Sequence, residues 1–177
     1  MLDNGFKYET QLKEMFKDTW YEDKYKFYRG SFNTDISFAD NDEYCRWFVS
    51  IHKGNIIGAI TYSIDVHANS IWELGAINFS DNIAVFGKDL AQVIDDIFVK
   101  FNHNRLGFCV TCGNPVEESY DRLMLQLGGR IVGERIEAIY IDGYLYNEKE
   151  YELLREDYLK HRYIVVGKKR FKQENIV

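Results

Sequence analysis

The apolar positions of this chain repeat with two periods, and each change of period marks a new element. Tyr44–Ile51, Ile56–Ile64 and Ile71–Phe79 are short apolar runs rich in β-branched and aromatic residues. They are separated by the turn signals His52–Asn55 and Asp65–Ser70, and so predict three antiparallel strands in a meander. The period then changes. Phe86, Leu90, Val93, Ile94, Ile97, Phe98 and Phe101 fall on one face of a helix, with Asp89, Gln92, Asp95, Asp96 and Lys100 on the other.

Arg105–Cys112 is apolar on both faces, as in a buried strand. Gly113–Gly129 carries helix punctuation. Asn114 can cap it, Pro115 suits its first turn, Glu117 stands three residues past the cap, and Gly128–Gly129 stop it. Arg130–Ile141 predicts a strand turned by Asp142–Gly143, and Glu148–His161 a closing helix. Upstream, Leu12, Met15, Phe16 and Trp20 predict one or two short helices between Tyr8 and Tyr28, and Phe32–Glu43 reads as loop with short strand character. A strand reached from Ile71–Phe79 through a long helix lies parallel to its neighbour. The expected fold class is therefore α/β (α+β): a mixed, mostly antiparallel sheet with one central parallel step and helices on both faces.

Composition narrows the partners. The 177 residues suit one domain, 1–177, and a 46 % hydrophobic, 28 % charged content with one proline is that of a globular chain. A net charge of −6 argues against nonspecific binding to nucleic acid or to an anionic membrane. The locally basic Gly167–Lys172, in the tail 162–177, reads as a solvated end. No run is long enough to span a bilayer, and the N-terminal stretch lacks the basic-then-apolar order of a secretory leader. With three cysteines, Cys45, Cys109 and Cys112, a reduced cytoplasmic setting is the simplest expectation. Cys109 and Cys112 form a CxxC inside a predicted strand. They would point to opposite faces as buried thiols, so no metal site is expected there. His67 falls in a loop and reads as solvated.

The stretch from about Tyr44 to Tyr158 resembles the GNAT superfamily of N-acyltransferases, and most of all the branch that acetylates N-termini of ribosomal proteins and related small amines. The residues that carry the resemblance are GNIIGAITYSI, FGKDLAQVIDDIF, NPVEESYDRLMLQLGGRIVGERIE and DGYLYNEKEYELLREDY, in that order. Residues 1–43 are a variable N-terminal part. The resemblance implies acetyl-CoA as co-substrate, held where the meander's last strand and the parallel strand splay apart, with no metal. It implies direct attack on the thioester by an amine of a small molecule or a protein N-terminus, and it leaves room for a homodimer. A GNAT-fold binding or assembly module that has lost catalysis is the alternative.

The family's phosphate turn has the form Gln/Arg-x-x-Gly-x-Gly/Ala. Setting Gly87 on its last position puts Val85 on the first glycine and Asn82 on the Gln/Arg. The implied cofactor set then covers the strand end Ile77, Asn78 and Phe79, the turn residues Asn82, Val85, Phe86, Gly87 and Lys88, and Asn114 beyond. A helix start offers free amides and a dipole to a phosphate, yet the same stretch also reads as an ordinary strand–helix joint. An inward Val85 Cβ would obstruct. Glu73, which strand alternation puts on a face with Ile71, Gly75, Ile77 and Phe79, is the expected base, or else a paired strand carboxylate. Tyr120 is the expected acid, one turn before the family's usual slot at Met124, or else a packing residue with Leu123 and Leu127.

Overall fold

The computed structural model describes residues 1–28 and 44–167. The expected loop Phe32–Glu43 and nearly all of the basic tail therefore lie outside the described residues. Among the described residues seven strands form one sheet: β1 (Leu2–Asn4), β2 (Cys45–His52), β3 (Asn55–Asp65), β4 (Ser70–Asn78), β5 (Arg105–Thr111), β6 (Arg130–Ile141) and β7 (Tyr144–Leu154), in the spatial order β1-β2-β3-β4-β5-β7-β6. The helices are α1 (Glu9–Thr19), α2 (Ile83–Asp95), α3 (Glu117–Leu127), α4 (Arg155–His161) and the single turn α5 (Tyr163–Val166). The expected mixed sheet is present, and its one parallel pair is β4 with β5. Among the described residues no helix is long and apolar enough to cross a membrane.

Helices cover both faces. On one, α2 with the turn that follows it, α3 and α4 bury Phe86, Ile94, Phe98, Leu127 and Tyr158 against Ile60, Ile71, Leu106 and Leu153. On the other, Leu12 of α1 and Tyr25 of a 3-10 turn (Asp23–Tyr28) pack on Val49, Ala59 and Ile77. The α2 face meets the sheet closely because of Gly58 on β3. A Cβ there would lie 2.4 Å from the Phe86 ring and 2.6 Å from the Ile77 carbonyl oxygen.

Four expectations change. The expected helix over Glu148–His161 is strand β7 as far as Leu154, and only then α4. Its charges read as helical, but Tyr151 and Leu153 alternate inward while Glu148, Glu150 and Glu152 share the other face, and the strand inserts between β5 and β6. The three residues Leu2–Asn4 form an edge strand that no periodicity announced.

The long helix starts at Ile83, one turn before Gly87, and ends in a π-turn (Asp96–Lys100). The wider turn rotates the last apolar position out of the stripe, so Phe101 is 42 % exposed where Ile97 and Phe98 are buried. Just before that turn Asp95 is buried. Arg162 binds it with Nε (2.5 Å) and Nη2 (2.8 Å), and Tyr158 donates its hydroxyl at 2.7 Å. Tyr158 also stacks on Phe98 at 4.6 Å. This bidentate pair ties the C-terminal helices to α2.

The helix expected from Gly113 begins at Glu117. The Asn114 side chain accepts from the Val116 amide (3.2 Å), making a turn that holds Pro115 ahead of the helix. Glu117 accepts from the Gly113 amide (2.8 Å), one residue short of a closed capping box. At the other end Gly128 takes the left-handed conformation, φ 79°, as its sequence position implied.

Candidate active site

The parallel pairing of β4 and β5 is confined to Ser70 with Arg105 and Ile71 with Leu106. Beyond that the two strands no longer pair with each other, β4 following β3 to Asn78 and β5 following β7 to Thr111, so the sheet opens into a V. The divergence starts at a bulge. Glu73 has φ +56°, and the β3–β4 register slips there, between Thr61 and Ser63. The bulge reverses the alternation of β4. Ile71 and Leu74 face the α2 side, whereas Ile77 and Phe79 face α1. The face expected to unite Glu73 with Ile71, Gly75, Ile77 and Phe79 therefore does not exist. Glu73 is the inserted residue, exposed, with its carboxylate accepting from the Ser63 hydroxyl at 3.0 Å.

Three cavities line up through the V. On the α2 side a cleft of about 530 Å³ lies between α2 and α3, lined by Asn78, Ser80, Ile83, Phe86 and Gly87 at its α2 end and by Asn114, Val116 and Tyr120 at its α3 end. It shares Tyr28, Ala76, Asn114, Val116 and Tyr120 with a throat of about 260 Å³. The throat in turn shares Leu74, Phe108, Cys109 and Glu148 with an outer cavity of about 560 Å³, which adds Trp72, Glu73, Arg135 and Glu150. The inner cleft is mainly apolar, while the outer cavity holds three carboxylates against one guanidinium.

The α2 end of the cleft is built from a run of local turns. Asn78 accepts from the Ser80 amide (3.0 Å), Ser80 Oγ accepts from the Asn82 amide (3.1 Å), and the Asn82 carbonyl accepts from the amides of Val85 (3.1 Å) and Phe86 (3.0 Å). Val85 is half-buried, packs against the main core and is absent from the cleft lining. Gly87 lies on the cleft wall, where a Cβ would meet nothing within 4 Å. Of the other expected cofactor residues, Asn78, Phe86 and Asn114 line the cleft, Asn82 caps α2 without a side-chain bond to it, Lys88 is exposed, and Ile77 and Phe79 point to the opposite face.

Tyr120 stands where cleft and throat meet, its ring 5.1 Å from that of Phe108. Burial pushes its hydroxyl up to about 12, so it stays protonated at neutral pH. Beside it Tyr28 donates to the Ala76 carbonyl at 2.7 Å. Met124, the family's usual slot for the acid, is buried in the core. Tyr120 and Glu73 do not share a cavity, and Glu148 lines both the throat and the outer cavity.

Sequence reading missed the outer cavity. Arg135, Glu148 and Glu150 come from the β6–β7 hairpin, and Glu148 and Glu150 had been placed in a helix. Cys109, half-buried on β5, receives a bond from Arg135 Nη2 at 3.0 Å, while Cys112 lies past the strand end and is also half-buried. The pair is therefore neither in one strand nor fully buried. The missing signal was a period of two in NEKEYELL. Below the cleft, Lys149 binds Glu117 (2.6 Å) and Asp121 (3.0 Å), and Tyr151 donates to Asp121 (2.7 Å), fixing α3 to β7.

A seven-stranded sheet splayed at its one parallel step, with helices on both faces, is the fold of the GNAT acetyltransferases. The chain is similar to the structure of a spermidine N-acetyltransferase from Vibrio cholerae in complex with CoA and spermine. The TM-score is 0.70 and the identity 18 %, over 90 % of this chain and 97 % of that one. It is also similar to a spermidine/spermine N-acetyltransferase from the same organism in complex with manganese ions, with TM-score 0.58 and identity 21 %, over 68 % and 71 % of the two chains. A probable acetyltransferase gives TM-score 0.56 and identity 18 %, over 66 % and 65 %. No family model and no curated protein matches the sequence.

Proposed function

We propose that this protein is an acetyl-CoA-dependent N-acetyltransferase whose acceptor is a cationic, polyamine-like amine. The observation that carries the reading is the series of cavities with shared lining residues, from an apolar cleft at the splay to an acidic outer cavity. The residues fit the co-substrate. The start of α2 presents the positive end of its dipole, Val85 does not line the cleft, and Gly87 leaves the wall open. Acetyl-CoA supplies the activated acyl group.

The chain's own residues do the rest. Glu73, Glu148 and Glu150 attract and orient the ammonium groups of the acceptor. Glu73, through water, takes the proton of the attacking nitrogen at its carboxylate. Tyr120, held protonated, faces the throat and can return a proton from its hydroxyl to the departing sulfur. The throat, the smallest of the three cavities, restricts bulk water and so limits thioester hydrolysis. An amine-bearing small molecule suits the outer cavity better than the N-terminus of a protein.

Purified protein, acetyl-CoA and a panel of diamines, polyamines, monoamines and N-terminal peptides test this, with thiol release and CoA-induced thermal shift as readouts. Turnover with polyamines above all others is expected. No thermal shift with CoA and no thiol release with any acceptor would overturn it.

A further inference from the structure

At the boundary between the outer cavity and the throat lies a positive charge that nothing in the reaction requires. Arg135 is paired across strands with Glu148, and it is the last residue of β6 in register before a bulge that runs to Ile139 and includes Glu137 at φ 50°. Its guanidinium reaches across β7 to β5. It is in close contact with the Glu148 carboxylate and donates to Cys109 Sγ at 3.0 Å. Glu148 and Cys109 are two of the four side chains that outer cavity and throat have in common, and Arg135 lines the outer cavity alone. The guanidinium therefore sits over the entrance to the throat.

The contact is easily exchanged. The Arg135 side chain is 59 % exposed while Glu148 is 15 % exposed, so the arginine can swing into water and the glutamate cannot. The second partner holds it weakly. Burial pushes the Cys109 thiol up, so Arg135 meets a neutral sulfur rather than a thiolate. Removing the arginine without a substitute would leave a largely buried carboxylate unpaired, which is costly. An incoming cation is such a substitute.

We propose that Arg135 is a displaceable plug: it holds Glu148 until an ammonium group of the acceptor takes its place, so the throat selects amines that carry a second positive charge. This rests on the acceptor side assigned above and adds a specificity-determining residue to it. A diamine places one ammonium on Glu148 and sends its other nitrogen, deprotonated, into the throat. A monoamine cannot do both. Glu150 stays available in the outer cavity for a further positive group.

Calorimetric titration of putrescine and n-butylamine, with and without CoA, tests the plug in the wild type, Arg135→Gln, Arg135→Lys and Glu148→Gln. Arg135→Gln is expected to bind putrescine about fivefold tighter, the scale of one partly exposed ion pair released from competition. Butylamine can also pair with the freed Glu148, so its affinity should rise too, but its thiol release with acetyl-CoA should not, because no second nitrogen reaches the throat. Arg135→Lys should lie between wild type and Arg135→Gln, and Glu148→Gln should abolish the preference for the diamine. Equal affinities of wild type and Arg135→Gln for putrescine, or an equal gain in thiol release with both amines, would overturn the plug, as would the absence of amine binding in every form. CoA-induced thermal shift reads the inner cleft separately. If it is absent while diamine selection persists, the acetyl-transfer reading fails and the plug stands. If it is present in all four proteins without diamine selection, only the plug fails.

Discussion

Gly58→Ala should damage the fold and the cofactor cleft together, because one contact sets both. The new Cβ would lie 2.4 Å from Phe86 Cε2 and 2.5 Å from Cδ2, about 1 Å short of the 3.4 Å at which ordinary contact begins. On the other side the Ile77 carbonyl oxygen, at 2.6 Å, is backbone in the neighbouring strand. The ring must yield, and with it the first turn of α2. Overpacking of this kind costs about 2 kcal/mol, which in a chain of this size lowers Tm by about 4–8 °C. Phe86 and its neighbours Ile83 and Gly87 wall the cleft, so a displacement near 1 Å should weaken CoA binding as well. Thermal unfolding with and without CoA measures both effects. Phe86→Ala removes both clashing ring atoms. In the double variant it should recover part of the loss, with a coupling above about 0.5 kcal/mol, though not the part due to Ile77. A Gly58→Ala protein that melts within about 1 °C of wild type and binds CoA equally well would refute the reasoning.

Two further outcomes follow from the site and its supports. Asp95→Asn should destabilise the protein by about 3–5 kcal/mol, because it leaves Arg162 buried without its carboxylate; urea unfolding measures it, and a loss under about 1 kcal/mol would contradict the anchoring role. Tyr120→Phe should lower kcat by about 10²-fold or more with little change in CoA affinity. Since the Tyr120 hydroxyl titrates only at about 12, the wild-type rate should show no alkaline loss from this group below about pH 11, because it is the protonated form that acts. An unchanged kcat in Tyr120→Phe would remove it from the reaction.

The meander and the amphipathic helix were legible because each buries one face and leaves a clean period. The parallel step, and hence the place of the cleft, followed from their order alone. Two things were hidden. The bulge at Glu73 uses a left-handed non-glycine residue, which no sequence pattern marks, and it changed which β4 residues share a face. Strand β7 was hidden by its charges. Glu148, Glu150 and Glu152 are tolerated on a central strand because Arg130 and Arg105 bind Glu152, Arg135 binds Glu148, and the outer cavity takes up the remainder. Those compensations lie on strands distant in sequence. The acidic half of the site was therefore invisible, while the cleft half, built on local turns from Asn78 to Phe86, could be named in advance for Asn78, Phe86 and Gly87.

The position of β7 has a consequence for how the chain is made. The final strand in sequence is interior in the sheet, and Asp95 finds its buried arginine only at residue 162. On the ribosome the first five strands can form, but β6 has no neighbour until β7 emerges, and Asp95 on α2 meets Tyr158 and Arg162 only once the chain beyond β7 docks. Contacts this distant close slowly. Folding should accordingly be completed only after synthesis of the last helices, with the half-built sheet edge at β5 as the surface that nascent-chain chaperones would have to shield.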